Sequence, residues 1–274
     1  MKEKDWRTAL SYKLSLGVVA LTLIVSLIDL LHPPIFLKET ASAKAQVIGQ
    51  DLVNLALGIP ALIASMDRSR RGSYKARMIW LGLLAYFAYT FLSYAVLFKL
   101  NPGFLAYTAA FGLSLYATLL NLSGMDVDRL DVDVTPSVRK WTPYSMMLIL
   151  IIIAILWSPD VTTYYTAGTI PPSITVDGAH TLIIPFQDYA IVLPLTLLTA
   201  WLAYRGETLG FILAPVVLVK ALSIALAVLG MIVAMQYYGT PAILGQVIVF
   251  VIGSLIVGAY TRHYLSGIEI RESL

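Results

Sequence analysis

The chain has 274 residues, of which 58% are hydrophobic and only 13% are charged, and its formal net charge is +3. Soluble domains carry about a quarter charged residues, so this composition excludes an ordinary water-exposed surface, and the small net charge predicts no nucleic-acid partner. No cysteine is present, which excludes disulfide bonds, thiolate catalysis and cysteine-ligated metals.

Apolar runs long enough to cross a bilayer as helices recur along the whole chain. They predict eight spans, at about 14–31, 51–66, 78–98, 103–122, 142–157, 188–204, 209–235 and 240–261. The predicted fold is therefore an all-α, polytopic transmembrane helix bundle, one integral membrane domain over residues 1–274 with the lipid bilayer as its partner. The short turn at Gly206 should make the sixth and seventh spans antiparallel neighbours.

The distribution of lysine and arginine predicts the orientation. The N-terminus, the loop after the second span, the 123–141 loop, the turn at Arg205 and the C-terminus together hold 15 basic residues, whereas the four opposite loops hold three. An excess of basic residues marks the cytoplasmic side, so both termini are predicted to be cytoplasmic in a multi-pass protein of the cell (plasma) membrane. The remaining basic residue, Lys220, lies inside the seventh span.

The two halves of the chain look alike, at about 1–123 and 141–265. In each half a long loop with a Pro-Pro pair is followed by Gln-Asp, in "QDLVNLALGIP" from Gln50 and "QDYAIVLP" from Gln187, and an internal proline follows. With four spans each, the halves would be parallel repeats joined by the acidic 123–141 loop, and paired prolines point to a central site in transporters. Chance, together with the preference of helix starts for aspartate, explains the same pattern.

Four ionisable residues are predicted inside or just within the spans. A charge there costs about 3 kcal/mol or more, so each is a candidate functional residue. At a rise of about 1.5 Å per residue, Asp29, Asp51 and Asp188 should lie in one layer near the outer interface, and the stem of Lys220 can reach toward it. Asp188 is the expected partner of Lys220, either in a substrate or proton site or as an ion pair that only fixes helix register.

Two histidines lie on the same predicted outer side. His32 follows Asp29 by three residues and His180 precedes Asp188 by eight, so these four residues and Asp51 could converge into a cation or metal site. The spacing fits no known ligand motif, and loop histidines without a role are the alternative. No cofactor is predicted apart from such a divalent metal.

The third span carries hydroxyl groups at helical spacing. They are Tyr86, Tyr89, Thr90, Ser93 and Tyr94, a stripe that should point into the bundle. These side chains could line a pathway for a small solute or ion, or simply form interhelical hydrogen bonds. In the last span, Gly253, Ser254 and Gly258 permit close helix contact within the chain or in a homo-oligomer.

The acidic loop "MDVDRLDVDVTPSVRK" could hold Mg²⁺ against a diphosphate, although a solvated acidic loop is the simpler interpretation. The other long segment, "SITVDGAHTLIIPF" at 173–186, could pair as a short hairpin.

Two segments, "GSYKARMIWLGLLAYFAYTFLSYAV" and "GFILAPVVLVKALSIALAVLG", resemble a group of uncharacterised prokaryotic multi-span membrane proteins. The resemblance implies a fold of about eight spans and no particular activity.

The sequence favours a small-solute or ion transporter, or a related binding protein, over an enzyme. Lys220 and Asp188 would form its switchable pair, Asp51 and Asp29 would be accessory acids, and Tyr86 and Tyr89 would supply neutral hydrogen bonds. The alternatives are an intramembrane enzyme that acts on a lipid-linked substrate with a metal, and a structural or accessory subunit.

Overall fold

Eight long apolar helices form a bundle, as the sequence predicts. The computed structural model describes residues 6–36, 38–240, 242 and 244–272, so the predicted start of the last span falls partly outside the described residues. The helices long and apolar enough to cross a membrane, named span 1 to span 8 in chain order, are Trp6–Leu31, Ala41–Arg70, Tyr74–Leu97, Phe104–Ser123, Pro136–Ala167, Ile183–Tyr204, Thr208–Tyr237 and Leu244–Ser266. The prediction of an all-α, multi-pass membrane protein is confirmed.

Local sequence signals set several helix ends. The hydroxyls of Thr40, Ser73 and Thr135 each accept a hydrogen bond from the backbone N–H three residues on, one of the donors that a first helical turn leaves free. The turns after spans 2 and 6 pass through Gly72 (φ 95°) and Gly206 (φ 76°), in the left-handed region that favours glycine. Each turn folds the next span back antiparallel to the one before.

Span 2 begins at Ala41, ten residues before the predicted start. The cap at Thr40 starts the helix there, although the polar residues that follow lower its hydropathy and conceal the start from an apolar-run search. Asp51 is therefore inside a helix and not at its beginning.

The hairpin predicted at 173–186, in the loop between spans 5 and 6, is wrong. A short helix occupies Pro172–Asp177, and span 6 starts at Ile183. The hydroxyl of Ser42 and the side-chain amide of Gln46 both donate to the carboxylate of Asp177, at 2.9 Å each. These bonds dock the short helix on the first turns of span 2.

Span 7 occupies the centre of the bundle, where it packs against spans 2 and 3 of the first half and spans 6 and 8 of the second. Glycines allow the closest approaches. A Cβ atom on Gly49 would lie 2.3 Å from the carbonyl oxygen of Gly230, and one on Gly82 would lie 2.6 Å from the Cβ of Val219. Spans 2 and 3 therefore meet span 7 through backbone contact, which fixes the two halves against each other.

Outer spans are packed differently in the two halves. Span 1 and span 4 contact each other, and both carry buried residues along their whole length, from Ser11 to Asp29 and from Tyr107 to Asn121. In span 5 no described residue beyond Met146 is buried, and in span 8 none before Ser254 is buried. Spans 1 and 4 of the first half are therefore packed along their whole length, whereas spans 5 and 8 of the second half are buried only toward one membrane face.

That membrane face carries the beginning of span 1 and the end of span 8, and it is called the terminal face below; the other is the distal face. Strand β1 (Leu130–Val134) pairs antiparallel with strand β2 (Ile268–Glu272) there, with Asp131 opposite Arg271. The apolar side chains of this two-stranded ribbon pack on spans 3 and 7, which places the ribbon across the terminal end of their contact.

Candidate functional site

Spans 2 and 6 share an irregularity in the same place. In each, a five-residue π-helical segment, Asn54–Gly58 or Asp188–Val192, is followed by a proline at the second position of the next α-helical segment. The N–H groups of Ile59 and Leu193 donate to the carbonyls of Asn54 and Asp188, five residues back. Proline lacks an N–H and clashes with the preceding turn, so a widened turn relieves both problems; such turns are frequent at functional sites.

Several matching features of the two halves are separated by the same distance in the chain. The first π-helical residues (54 and 188), the prolines (60 and 194), the left-handed glycines (72 and 206) and the starts of spans 3 and 7 (74 and 208) are each 134 residues apart. This register places Asn54 opposite Asp188, and Tyr86 opposite Lys220. The Gln-Asp pairs noted in the sequence follow a different register, 137 residues apart.

The predicted pairing of Lys220 with Asp188 is confirmed. The Lys220 Nζ lies 3.9 Å from Asp188 Oδ1, and the side chains are 13% and 10% exposed. The ammonium group also lies 3.9 Å above the centre of the Tyr89 ring, a cation–π contact. Trp157 Nε1 of span 5 donates to Asp188 Oδ2 at 2.8 Å. The pair is held loosely, because a charge-assisted hydrogen bond measures about 2.7–2.9 Å.

The first half has a neutral counterpart of this ion pair. Tyr86 OH donates to Asn54 Oδ1 at 2.6 Å, and both side chains are buried. Asn54 and Tyr86 hold the positions of Asp188 and Lys220 in the 134-residue register. A neutral, tightly made hydrogen bond thus joins spans 2 and 3 where a loose ion pair joins spans 6 and 7.

Asp29 and Asp51 lie together in the first half, away from Lys220. Asp51 Oδ1 accepts from Ser26, one helical turn before Asp29 on span 1, at 2.8 Å and from Tyr94 at 3.3 Å. Tyr107 of span 4 reaches both oxygens of Asp29, at 3.4 and 3.5 Å. The three aspartates that the sequence places in one layer therefore belong to two sites, one in each half.

The hydroxyl stripe of span 3 connects the two sites. Gln50 of span 2 donates to Thr90 Oγ1, and Gln187 of span 6 donates to Ser93 Oγ, each at 2.8 Å. The side-chain amide oxygen Oε1 of Gln187 is buried and has no hydrogen-bond partner in the described part of the chain. Span 3 thus carries both predicted site tyrosines, with Tyr86 on the first-half side and Tyr89 on the side of Lys220.

The remaining sequence candidates do not join these sites. His32 and His180 are exposed, and among the described residues no three His, Asp or Glu side chains gather as a metal site would require. The predicted convergence of both histidines with the three aspartates is thus not observed. The acidic loop forms β1, where Asp131 and Asp133 point to solvent. Gly253 faces open space and leaves its predicted close contact unmade in this chain.

Burial along span 7 changes abruptly at the ion pair. The ten residues from Gly210 to Val219 are all buried, whereas the residues from Lys220 to Leu226 are only half-buried. Tyr264 of span 8 donates to the carbonyl of Phe211 at 2.9 Å and holds the terminal half of span 7 in place. Lys220 therefore stands at the boundary between a fully buried stretch of span 7 and a half-buried one.

Comparison with protein-family models, with curated proteins and with solved structures gives no match to this chain.

Proposed function

We propose that the protein is a membrane transporter for a small solute or ion, with its binding site at Asp188, Lys220 and Tyr89. One observation carries this proposal. In the first half, the equivalent positions join the helices through a neutral hydrogen bond between Asn54 and Tyr86, so packing of this kind does not need a charge pair. A loose buried ion pair joins two helices at a larger desolvation cost than a neutral hydrogen bond, and ionisable residues inside membrane spans usually have a functional role.

The packing around Lys220 supports one state of an alternating-access cycle. Toward the terminal face, ten successive buried residues of span 7 and the β1–β2 ribbon close the path. Toward the distal face, span 7 is half-buried from Lys220 to Leu226, and the distal halves of spans 5 and 8 have no buried residue among those described. A solute would reach Lys220 from the distal side, and separation of Lys220 from Asp188 would let the helices shift.

We also propose that the two halves arose by duplication and that only the second kept a charged site. Both termini would lie in the cytoplasm of a cell bounded by a plasma membrane, because 15 basic residues lie in the loops of one side and three in those of the other. The terminal face would then be cytoplasmic, and the site would be open to the outside. The proposed prokaryotic affiliation rests on the resemblance of spans 3 and 7 alone.

The absence of cysteine from the sequence makes a direct test of access possible. Ser223→Cys and Val216→Cys place single thiols about one turn to either side of Lys220, the first half-buried and the second 6% exposed. In intact cells or oriented vesicles, a membrane-impermeant maleimide added on the distal side should label Ser223→Cys and leave Val216→Cys unlabelled. Protection of both positions would indicate a dry, structural ion pair and contradict the proposal.

A second test measures binding and does not require that the solute be identified first. A ligand that binds only the folded state raises its melting temperature, so a panel of inorganic ions, carboxylates, amines and sugars can be screened by thermal shift. A solute that stabilises the wild type should fail to stabilise the Asp188→Asn/Lys220→Met variant, and uptake of that solute into proteoliposomes should be lost in the same variant. Uptake that survives both substitutions would contradict the proposed site.

A further inference from the structure

The carboxyl groups of Asp29 and Asp51 form a buried pair that the proposed solute site does not use. Asp29 is 1% exposed and Asp51 is fully buried. Ser26, one helical turn before Asp29 on span 1, donates to Asp51 at 2.8 Å and brings the two helices together at this point.

In the described part of the chain, the side chains that hydrogen-bond to this pair include no cation. They are Ser26 of span 1, Asn54 of span 2, Tyr94 of span 3 and Tyr107 of span 4. The only charged residue of span 7 is Lys220, which is paired with Asp188. None of the ion pairs in the described part of the chain involves Asp29 or Asp51.

The pair leaves hydrogen-bonding capacity unfilled. Asp51 Oδ1 accepts from Ser26, Tyr94 and Asn54, yet Asp51 Oδ2 is buried with no hydrogen-bond partner among the described residues. Thr22 Oγ1, about one turn from Ser26 on the same face of span 1, is also buried and has no hydrogen-bond partner where the structure describes the chain. A buried oxygen that accepts no hydrogen bond is costly, and a buried carboxylate beside another carboxylate is more so.

We infer that Asp29 and Asp51 share a single proton between their carboxyl groups, and that this is the coupling-proton site of the transporter. No cation is among their described partners, so two carboxyl groups buried together cannot both ionise without a large cost. One proton between them leaves a single negative charge, which the donors Ser26, Asn54 and Tyr94 on Asp51 can stabilise.

The inferred proton site and the proposed solute site lie in different halves of the chain. The second half would bind the solute at Lys220, and the first half would carry the proton. The route between them runs along span 3, because Tyr86 contacts Asn54 beside Asp51, while Tyr89 contacts Lys220. The coupling role rests on the proposed transport function; the shared proton itself does not.

Infrared spectroscopy of the purified protein at neutral pH tests the shared proton directly. A protonated carboxyl group gives a C=O stretching band that carboxylates lack, and this band should be present in the wild type. Asp29→Asn should abolish it, because Asp51 then keeps its three donors and can ionise, whereas Asp188→Asn should leave it unchanged as the matched control. Size-exclusion chromatography confirms that each isosteric variant is folded.

Absence of the band in the wild type, or its persistence in both Asp29→Asn and Asp51→Asn, would overturn the inference. So would stabilisation of the wild type by Na⁺ or Ca²⁺ that is lost in Asp51→Asn, since that result identifies a cation site. These outcomes do not depend on solute uptake. If the band behaves as expected and no solute is transported, the proton pair stands and the transport function fails.

Discussion

Replacing Lys220 alone should destabilise the protein more than replacing Lys220 and Asp188 together. Lys220→Met leaves the Asp188 carboxylate 10% exposed, with Trp157 as its main remaining hydrogen-bond donor. Removing one partner of a buried ion pair costs about 3–5 kcal/mol. The separation of 3.9 Å and the residual exposure weaken this pair, so we expect a loss of about 2–3 kcal/mol from the free energy of unfolding.

Asp188→Asn should cost less, about 1–2 kcal/mol, because the ammonium of Lys220 keeps its contact with the Tyr89 ring. The double variant removes both charges and should lie within about 1 kcal/mol of the wild type. The coupling energy of this double-mutant cycle is then about 2–6 kcal/mol. Denaturant unfolding of the four proteins in the same detergent measures it.

Additive effects of the two single changes would refute the reasoning, since they would show that the two side chains do not interact.

The hydrogen bond between Tyr86 and Asn54 in the first half is a reference for a purely structural contact. Tyr86→Phe removes the 2.6 Å bond to Asn54 and leaves a buried acceptor, so a loss of about 1–3 kcal/mol is expected. This change should leave labelling of Ser223→Cys from the distal side intact, whereas Lys220→Met should alter it.

Two further predictions concern packing and the terminal face. Gly49→Ala should sharply reduce the yield of folded protein on size-exclusion chromatography, because the added Cβ would overlap the Gly230 carbonyl. Gly245 faces open space, so Gly245→Ala should give the wild-type yield, and equal yields of the two variants would refute the contact. The double variant Asp131→Cys/Arg271→Cys should form a disulfide under mild oxidation, because these two residues are directly opposed in the ribbon. Mass spectrometry detects the bond, and its absence would contradict the strand register.

The sequence predicts the Asp188–Lys220 pair because few facts are needed to place it. Both residues lie in the hairpin that turns at Gly206, and the rise per residue puts Asp188 within reach of the long stem of Lys220. Asn54 and Trp157 have no such signal. Asn54 is an uncharged residue in an apolar run, and Trp157 is typical of an aromatic residue at the membrane interface. Their hydrogen bonds to Tyr86 and Asp188 are visible only in the packed structure.

Depth alone is a poor guide to which carboxyl groups meet. Asp29, Asp51 and Asp188 have similar predicted depths, but the angle at which each faces its neighbours depends on helix packing. The glycine contact between Gly49 and Gly230 sets the rotation of span 2 against span 7. With span 2 in this rotation, Asp51 faces span 1. The periodicity of one helix shows which residues share a face but not which neighbouring helix that face contacts.

The ribbon at the terminal face also has a consequence for biosynthesis. Strand β1 leaves the ribosome before span 5, whereas β2 is among the last described residues, so their pairing waits until span 8 has been inserted. The strands can meet only if the number of membrane crossings between them is even, because otherwise they lie on opposite sides of the bilayer. Completion of the ribbon therefore distinguishes chains with the correct topology from those that missed a crossing, which would expose unpaired strand edges to quality-control proteases.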